Sequence, residues 1–259
     1  MSEVSPNEVS ILVVSCDAYQ DLWKPFFHCF FKYWPDCPFP INLGANNTSY
    51  PDPRVRSILI GADVDYSSNL LAMLNQIEQD WIILWIEDRV ISAPVNTSRI
   101  TNLINQAIIG EVAYLKLISS HPFAFINHSD ETGEIPAGSK YRLCMTVALW
   151  NKNYLRQLIA PGETAWDLER FGSCRSANIN AKFLSLSYSF KRNPPIFDTH
   201  LLIKGRIIRN AIKFLSNEQL LLELRNRKFQ TINSYLYLIF YYLLKDCLAA
   251  ATYYIRRLL

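Results

Sequence analysis

A run of six apolar residues, WIILWI at positions 81–86, has no polar interruption and passes directly into Glu87, Asp88 and Arg89. A strand in the middle of a parallel sheet typically lacks the alternation of apolar and polar residues, because helices cover both faces of the sheet. Ligands of such sheets bind beyond the carboxyl ends of the strands. The run therefore predicts a buried central strand that delivers two adjacent carboxylates to a binding site. The alternative is that both acids have structural roles only, with Asp88 as the cap of the next element and Glu87 paired with Arg89.

Segments with strand-like and helix-like hydrophobic periods alternate along the rest of the chain. Besides 81–86, the predicted strands are 9–15, 39–43, 55–60, 111–118, 142–150, 181–190 and 195–200. The predicted helices are 21–33, 67–79, 96–109, 151–159, a segment from about Thr164, and most of the sequence after Arg206, including a final helix at 232–259. Residues 90–94 and 128–140 are predicted loops, and Asp21, Ser67 or Ser68, and Asn96 or Thr97 are candidate helix caps. Such alternation predicts an α/β fold with a mostly parallel sheet.

Composition supports one folded unit with a helical appendage. Half of the 259 residues are hydrophobic, with 14 Phe, 14 Tyr and 6 Trp, which excludes a largely disordered chain. We expect residues 1–204 to form the α/β domain and residues 205–259 to form C-terminal helices. The net charge of +3 gives no general case for nucleic acid binding, although the C-terminal quarter is locally basic.

The six cysteines are widely spaced and include no C-x-x-C pair, and no histidines stand at ligand spacing, so a zinc site is not expected. The first ten residues are polar and acidic, where a secretory signal needs basic residues and an apolar core. We therefore expect a cytoplasmic protein with reduced thiols.

A second cluster of charge lies in residues 161–176, which read PGETAWDLERFGSCRS. If this segment is helical from Thr164, Glu163 and Asp167 share a face, while Asp167 and Glu169 diverge. Only one of these carboxylates then points at a given substrate atom. The alternative is an ordinary solvated helix with Glu169 and Arg170 on its outer face.

Four segments together resemble a known enzyme family. They are the opening strand with SCDAYQDLWKPFFHCFFKYWPD, the strand with WIILWIEDR, the segment AWDLERFGS, and THLLIKGR followed by helices. In this order, over about residues 9–227, they resemble bacterial sugar-nucleotide-dependent glycosyltransferases of the GT-A type, from the groups that build O-antigen and capsular polysaccharide. The resemblance implies a GT-A-like, Rossmann-type central sheet flanked by helices, with a C-terminal helical extension.

The resemblance also implies a donor site at the carboxyl ends of the N-terminal strands. Ser15 and Asp17 would lie by the nucleobase or ribose, and Asp63 or Asp65 would approach the same nucleotide. The family's Asp-x-Asp motif holds Mg²⁺ or Mn²⁺ against the diphosphate, and this chain has Glu87-Asp88-Arg89 in its place. Either Asp88 binds the ion or Arg89 supplies the positive charge. His200 is the candidate additional metal ligand.

Catalysis by inversion needs one carboxylate that accepts the proton of the acceptor hydroxyl. The resemblance places that acid in AWDLERFGS, where Glu169 is the first candidate and Asp167 the second. In a retaining enzyme the same acids would instead bind acceptor hydroxyls.

The implied acceptor is a lipid-linked glycan at the inner face of the cytoplasmic membrane. Basic C-terminal helices would attract that surface, and the alternative for the final helix is packing on the domain or on a second copy of the chain. The basic residues are Arg206, Arg209, Lys213, Arg225, Arg227, Lys228, Arg256 and Arg257. Two other functions stay open: a sugar-phosphate nucleotidyltransferase, although SCDAYQD lacks the expected glycines, and a non-catalytic carbohydrate-binding or scaffold protein.

Overall fold

The computed structural model describes residues 8–121, 131–187, 193–234 and 236. Its main sheet has eight described strands in the order β3-β2-β1-β4-β8-β6-β9-β7. These strands are β1 Val9–Val14, β2 Ile41–Ala45, β3 Val55–Leu59, β4 Trp81–Ile86, β6 Tyr114–Ser120, β7 Thr132–Glu134, β8 Ala148–Asn151 and β9 Phe183–Leu186. Two small antiparallel pairs accompany it: β5 Arg89–Ile91 with β10 Asp198–His200, and β11 Leu202–Ile203 with β12 Arg206–Ile207.

Helices cover both faces of the sheet. One face packs against α1 Trp23–Tyr33, α3 Thr97–Ile109 and α6 Arg209–Asn217, and the other against α2 Tyr66–Leu74, α4 Lys152–Leu158 and α5 Ala165–Arg175. Four of the seven described pairings in the main sheet are parallel. The predicted α/β fold with a mostly parallel central sheet is therefore confirmed.

β4 is the buried central strand that its composition predicts. It pairs in parallel with β1 and antiparallel with β8, and its side chains alternate between the two hydrophobic cores. The Trp85 ring meets Phe26 and Phe30 edge-on at centroid distances of 5.8 and 5.9 Å. Aromatic pairs of this geometry contribute about 0.5–1.5 kcal/mol each beyond the area they bury. They fix α1 against the strand that leads into the acidic pair.

Several boundaries differ from the sequence prediction for local reasons. Residues 17–22 form a 3-10 helix before α1, so Asp21 is not the cap of that helix. Helix α2 begins at Tyr66 and is capped by Asp65, not by Ser67 or Ser68. The predicted loop at 90–94 begins as the strand β5, and the part of the predicted loop 128–140 that is described contains β7.

The predicted strand at 142–150 is reduced to β8. The backbone N–H of Leu143 donates to Ser173 Oγ, and that of Met145 donates to Glu169 Oε1. Both acceptors lie on α5, so this segment bonds to a helix where a strand would bond to its neighbour. The result is a polar junction between α5 and the sheet.

The described C-terminal segment packs into the same core as β1 and β4. Ile207, Ala211, Leu215 and Leu224 are fully or almost fully buried there. The predicted boundary after residue 204 falls in the turn between β11 and β12. No described helix is long and apolar enough to cross a membrane. Most of the predicted final helix, with Arg256 and Arg257, lies outside the described residues.

Candidate functional site

The carboxyl ends of β1 and β4 lie side by side, because the two strands are parallel neighbours with Val14 in register with Ile86. The residues that follow, Ser15 on one strand and Glu87 on the other, leave the sheet together. Trp23 Nε1 donates a hydrogen bond to Ser15 Oγ at 2.8 Å, which fixes this serine against the start of α1. Ser15 and Glu87 thus form one edge of the predicted donor site.

Asp17 binds the loop that follows β2. Its carboxylate accepts hydrogen bonds from the backbone N–H groups of Asn46, Asn47 and Thr48 and, at 2.9 Å, from the Thr48 hydroxyl. Desolvation works in the opposite direction, but these hydrogen bonds together lower the pKa of Asp17. Both carboxylate oxygens are therefore engaged, and Asp17 joins the ends of β1 and β2 into one rim.

Asp63 and Asp65 have different surroundings in the loop before α2. Asp65 caps α2 by accepting from the N–H of Ser68 at 2.9 Å and from its hydroxyl at 2.7 Å. Asp63 is exposed and accepts from the side chain of Asn69. Burial and then the negative charges of Glu87 and Asp63 raise the pKa of the Cys16 thiol, so this loop lies near the end of β1.

Glu87 is buried where β4 ends. Only 5% of it is exposed, and its Oε2 atom has no hydrogen-bond partner among the described residues. Burial, followed by the neighbouring charge of Asp88, raises the pKa of Glu87 to about 8. The alternative of a pair with Arg89 is wrong, because the Arg89 guanidinium forms an ion pair with Asp198 at 2.8 Å.

Glu87 should make stability depend on pH. Because its pKa is about 8 in the folded state and 4.5 as a free side chain, the folded protein loses stability as pH rises between these values. In chelator-treated protein, Glu87→Gln removes this penalty and is expected to raise Tm at pH 8 by on the order of 5 °C, with almost no gain at pH 5. Differential scanning fluorimetry measures the effect. Glu78→Gln, at an exposed position, is the control, and an equal gain at both pH values would contradict the assignment.

Asp88 and His200 are brought together by the pairing of β5 with β10. Asp88 Oδ2 and His200 Nε2 share a hydrogen bond at 3.0 Å, although 112 positions separate the two residues. The backbone N–H of Leu201 donates to Asp88 O at 2.7 Å, which holds the two segments in register. We call Glu87, Asp88 and His200 the strand-end site. Its two candidate metal ligands are adjacent in the fold.

Asp167 and Glu169 on α5 point in different directions, as the helix geometry predicts. Asp167 turns back to the N-terminus and forms a capping box with Thr164, whose hydroxyl donates to it at 2.7 Å. Glu169 points inward, is 9% exposed and accepts from the Met145 N–H at 2.7 Å. The alternative that places Glu169 on the solvated face is therefore wrong, and of Glu169 and Arg170 it is Arg170 that is exposed.

The fold of this chain is similar to that of solved structures, whereas its sequence has no match among family models or curated proteins. The mannosyltransferase PcManGT from Pyrobaculum calidifontis, described in complex with GDP-Man and Mn²⁺, superposes with a TM-score of 0.51 at 10% identity, over 76% of this chain and 58% of that one. This chain has a GT-A-like fold.

A second solved structure is similar at a lower score. Residues 1–349 of TarS from S. aureus superpose with a TM-score of 0.48 at 11% identity, over 70% of this chain and 58% of that one. The chain thus spans less than two thirds of the length of either structure.

The strand-end site of this GT-A-like fold fits a divalent ion with few protein ligands. No described group of three or more His, Cys, Asp or Glu side chains is arranged to hold a metal. Mg²⁺ and Mn²⁺ sites of this kind use one or two protein ligands and fill the shell with phosphate oxygens and water. Asp88 offers a carboxylate oxygen and His200 an imidazole nitrogen, and these two atoms lie 3.0 Å apart in the hydrogen bond that they share. Asp88 and His200 fit that role.

Two residues near the site were missed by sequence reasoning. The Tyr66 hydroxyl is buried without a hydrogen-bond partner among the described residues. Burial first, and then the charges of Glu169 and Glu87, raise its pKa, so the acids of α5 and β4 approach one hydroxyl group. Arg227, expected at a membrane surface, instead binds Asp21 beside the end of β1. Neither residue lies in a recognisable motif, because each is placed by contacts between distant segments.

Proposed function

We propose that this protein is a glycosyltransferase that moves a sugar from a nucleotide-sugar donor to a glycan acceptor. The observation that carries the proposal is the contact between Asp88 and His200 at the end of the central strand of a GT-A-like fold. PcManGT, a solved structure with a similar fold, is described with a nucleotide sugar and Mn²⁺. The same class of donor fits the acidic strand end of this chain.

The donor diphosphate is proposed to lie at the strand-end site. Asp88 and His200 would hold Mg²⁺ or Mn²⁺, which when bound neutralises negative charge that develops on the leaving diphosphate. Arg89 holds β10 through Asp198 and so positions His200 opposite Asp88. In this arrangement Arg89 supports the site and does not itself supply charge to the diphosphate.

The nucleoside part of the donor is proposed to lie along the rim formed by the ends of β1 and β2. Ser15 and Asp17 belong to that rim, and Asp63 and Asp65 belong to the neighbouring loop before α2. Asp17 and Asp65 act by shaping the backbone, because their oxygens are bonded to the 46–48 loop and to the start of α2. Asp63 is the exposed acid of this group.

Glu169 is proposed as the general base of an inverting transfer. It would accept the proton of the acceptor hydroxyl as that oxygen attacks the anomeric carbon, while the carbon–oxygen bond to the diphosphate breaks. The hydrogen bond from Met145 holds its carboxylate in one orientation. Asp167 is less suited to this role because the capping box engages it.

The acceptor is proposed to be a lipid-linked glycan of bacterial surface polysaccharide synthesis, reached at the inner membrane surface. Support comes from exposed basic side chains on the C-terminal segment. Arg209 and Lys213 lie one turn apart on α6 and are both exposed. Each such cation contributes about 1 kcal/mol to binding an anionic bilayer at close range.

Substitution of both α6 cations tests the membrane proposal. Arg209→Gln with Lys213→Gln is expected to weaken co-sedimentation with anionic vesicles by about tenfold at low salt. Arg56→Gln with Lys182→Gln removes the same charge from other exposed positions and should have little effect. Equal losses in the two double variants would mean that net charge alone, and not the C-terminal surface, governs binding.

Donor binding tests the proposed function directly. A ligand that binds only the folded state at a hundredfold excess over its Kd stabilises that state by about 2.7 kcal/mol, or roughly 5–10 °C for a chain of this size. We expect one of the UDP, GDP, CMP or dTDP sugars to produce such a shift, with a larger shift when Mn²⁺ is present. No shift with any of these donors, with or without Mn²⁺, would rule out the proposed function.

A further inference from the structure

The guanidinium of Arg227 is held by the 3-10 helix that follows β1. Its Nε and Nη2 atoms donate to the two carboxylate oxygens of Asp21, each at 2.6 Å. Its face lies 4.7 Å from the centre of the Tyr19 ring. Asp21 and Tyr19 both belong to the 3-10 helix that follows β1, so Arg227 is fixed at the carboxyl edge of the sheet.

The backbone of the C-terminal segment delivers Arg227 to this position. Ile207 on β12 donates its N–H to Lys228 O, and Gln230 donates its N–H back to Ile207 O. These bonds flank Arg227 on the C-terminal side, while its own N–H donates to Leu224 O. The backbone around Arg227 is thus fixed by hydrogen bonds. Its side chain is half-buried, whereas those of its neighbours Arg225 and Lys228 are exposed.

One nitrogen of this guanidinium is uncommitted. Nη1 makes no hydrogen bond to any residue that the structure describes, whereas Nε and Nη2 are both used by Asp21. A Cβ atom added to Gly205 would lie 3.9 Å from Nη1. Gly205 also has φ +70, a left-handed conformation that favours glycine. Gly205 therefore lies next to Nη1 and places no side chain there.

The residues around the strand-end site are mainly acidic, so a cation such as Arg227 would help to bind an anionic ligand there. Asp63 and Asp88 carry negative charge, and Arg89 is neutralised by Asp198. The 3-10 helix that holds Arg227 follows β1, and β1 is the parallel neighbour of β4, so this helix leaves the sheet beside the residues that follow β4. A divalent ion at Asp88 and His200 would offset part of the negative charge of a bound diphosphate, and a fixed cation would offset more of it.

We infer that Arg227 binds the diphosphate of the donor through Nη1 and that Asp21 is its positioning residue. The inference rests on the proposed function and adds a binding group from the C-terminal segment. Arginine suits this role because its fork can pair with a carboxylate through one edge and keep a further N–H pair for a phosphate oxygen. The C-terminal segment is then part of the donor site as well as the proposed membrane-facing surface.

Isothermal titration calorimetry with UDP, GDP and dTDP, each with Mg²⁺, tests the assignment. For the diphosphate that the wild-type protein binds most tightly, Arg227→Gln is expected to raise Kd about 10- to 100-fold. Affinity for the corresponding nucleoside, which lacks phosphate, should stay within about twofold. Arg227→Lys is expected to lose about 3- to 10-fold, because a lysine cannot pair with Asp21 and reach the phosphate with the same geometry.

Controls separate a local contact from general charge. Arg225→Gln removes the same charge from an exposed position of the same segment and should change Kd by less than about twofold. Asp21→Asn retains Arg227 but loosens it, and should weaken diphosphate binding without affecting the nucleoside. If Arg227→Gln does not fold, the lysine and Asp21 variants carry the comparison.

Failure of the inference is distinguishable from failure of the proposed function. Tight diphosphate binding by the wild-type protein that Arg227→Gln and Arg227→Lys leave unchanged would overturn the role of Arg227 and retain the donor site. Absence of wild-type binding to all three diphosphates would overturn the role of Arg227. A thermal shift with a CMP sugar would then retain the proposed function, and no shift with any donor would overturn both. Equal loss of nucleoside and diphosphate affinity in Arg227→Gln would also overturn the inference, because it would show damage to the whole site.

Discussion

Replacement of Asp88 by asparagine is expected to lower kcat/KM for sugar transfer by about 100- to 1,000-fold and to abolish stimulation by Mn²⁺. Asparagine retains an oxygen that accepts from His200 Nε2, so the contact between β5 and β10 survives. What is lost is the negative charge that a divalent ion requires. Initial rates over a Mn²⁺ titration measure the change, with Tm recorded to show that the fold is intact.

Two further variants sharpen the Asp88 result. His200→Gln should also reduce Mn²⁺ stimulation, since it removes the imidazole nitrogen at the same site. Asp36→Asn removes a carboxylate from an exposed position outside the site and should leave the titration unchanged. Wild-type turnover and Mn²⁺ dependence in Asp88→Asn would mean that the acidic pair is structural.

Replacement of Glu169 by glutamine is expected to lower kcat by about 10²- to 10⁴-fold while donor Kd stays within about twofold. The amide oxygen of glutamine can accept the Met145 N–H in place of the carboxylate, so the local geometry is preserved. The variant cannot take a proton from the acceptor hydroxyl. Single-turnover rates with saturating donor separate this chemical defect from any loss of binding.

Asp167→Asn is the matched control for Glu169, because it changes an acid on the same helix. It should lower stability by about 0.3–1.5 kcal/mol through the capping box and leave kcat nearly unchanged. If Asp167→Asn abolishes turnover and Glu169→Gln does not, the two roles are reversed. Full turnover in both variants would remove the case for a carboxylate base on α5.

Local sequence was sufficient where one segment determined its own structure. The apolar run of β4 was predicted, Asn96 is one of the two caps predicted for α3, and α5 begins after Thr164, where the sequence analysis considered a helix. Caps were less predictable where several polar residues compete. Asp65 caps α2 because its side chain reaches the Ser68 N–H, and the alternatives Ser67 and Ser68 lie inside the helix.

The site was predicted in part because its residues lie at the ends of predictable elements. Glu87 and Asp88 follow a strand whose burial is evident from composition, and His200 ends a short strand. Their mutual arrangement depends on the pairing of β5 with β10. The sequence did not indicate this pairing, because residues 90–94 were predicted to be a loop. The burial of Glu87 and the ion pair of Arg89 likewise depend on distant segments.

By itself the sequence determined the α/β alternation, the buried central strand and the placement of acids at its end, because hydrophobic periodicity is a local property. Tertiary structure alone decided which polar groups meet. It joined Asp88 to His200, bound Glu169 to the backbone of Met145, and brought Arg227 from the C-terminal segment to Asp21 across 206 positions. Such contacts arise from the packing of whole elements, and no local pattern records them.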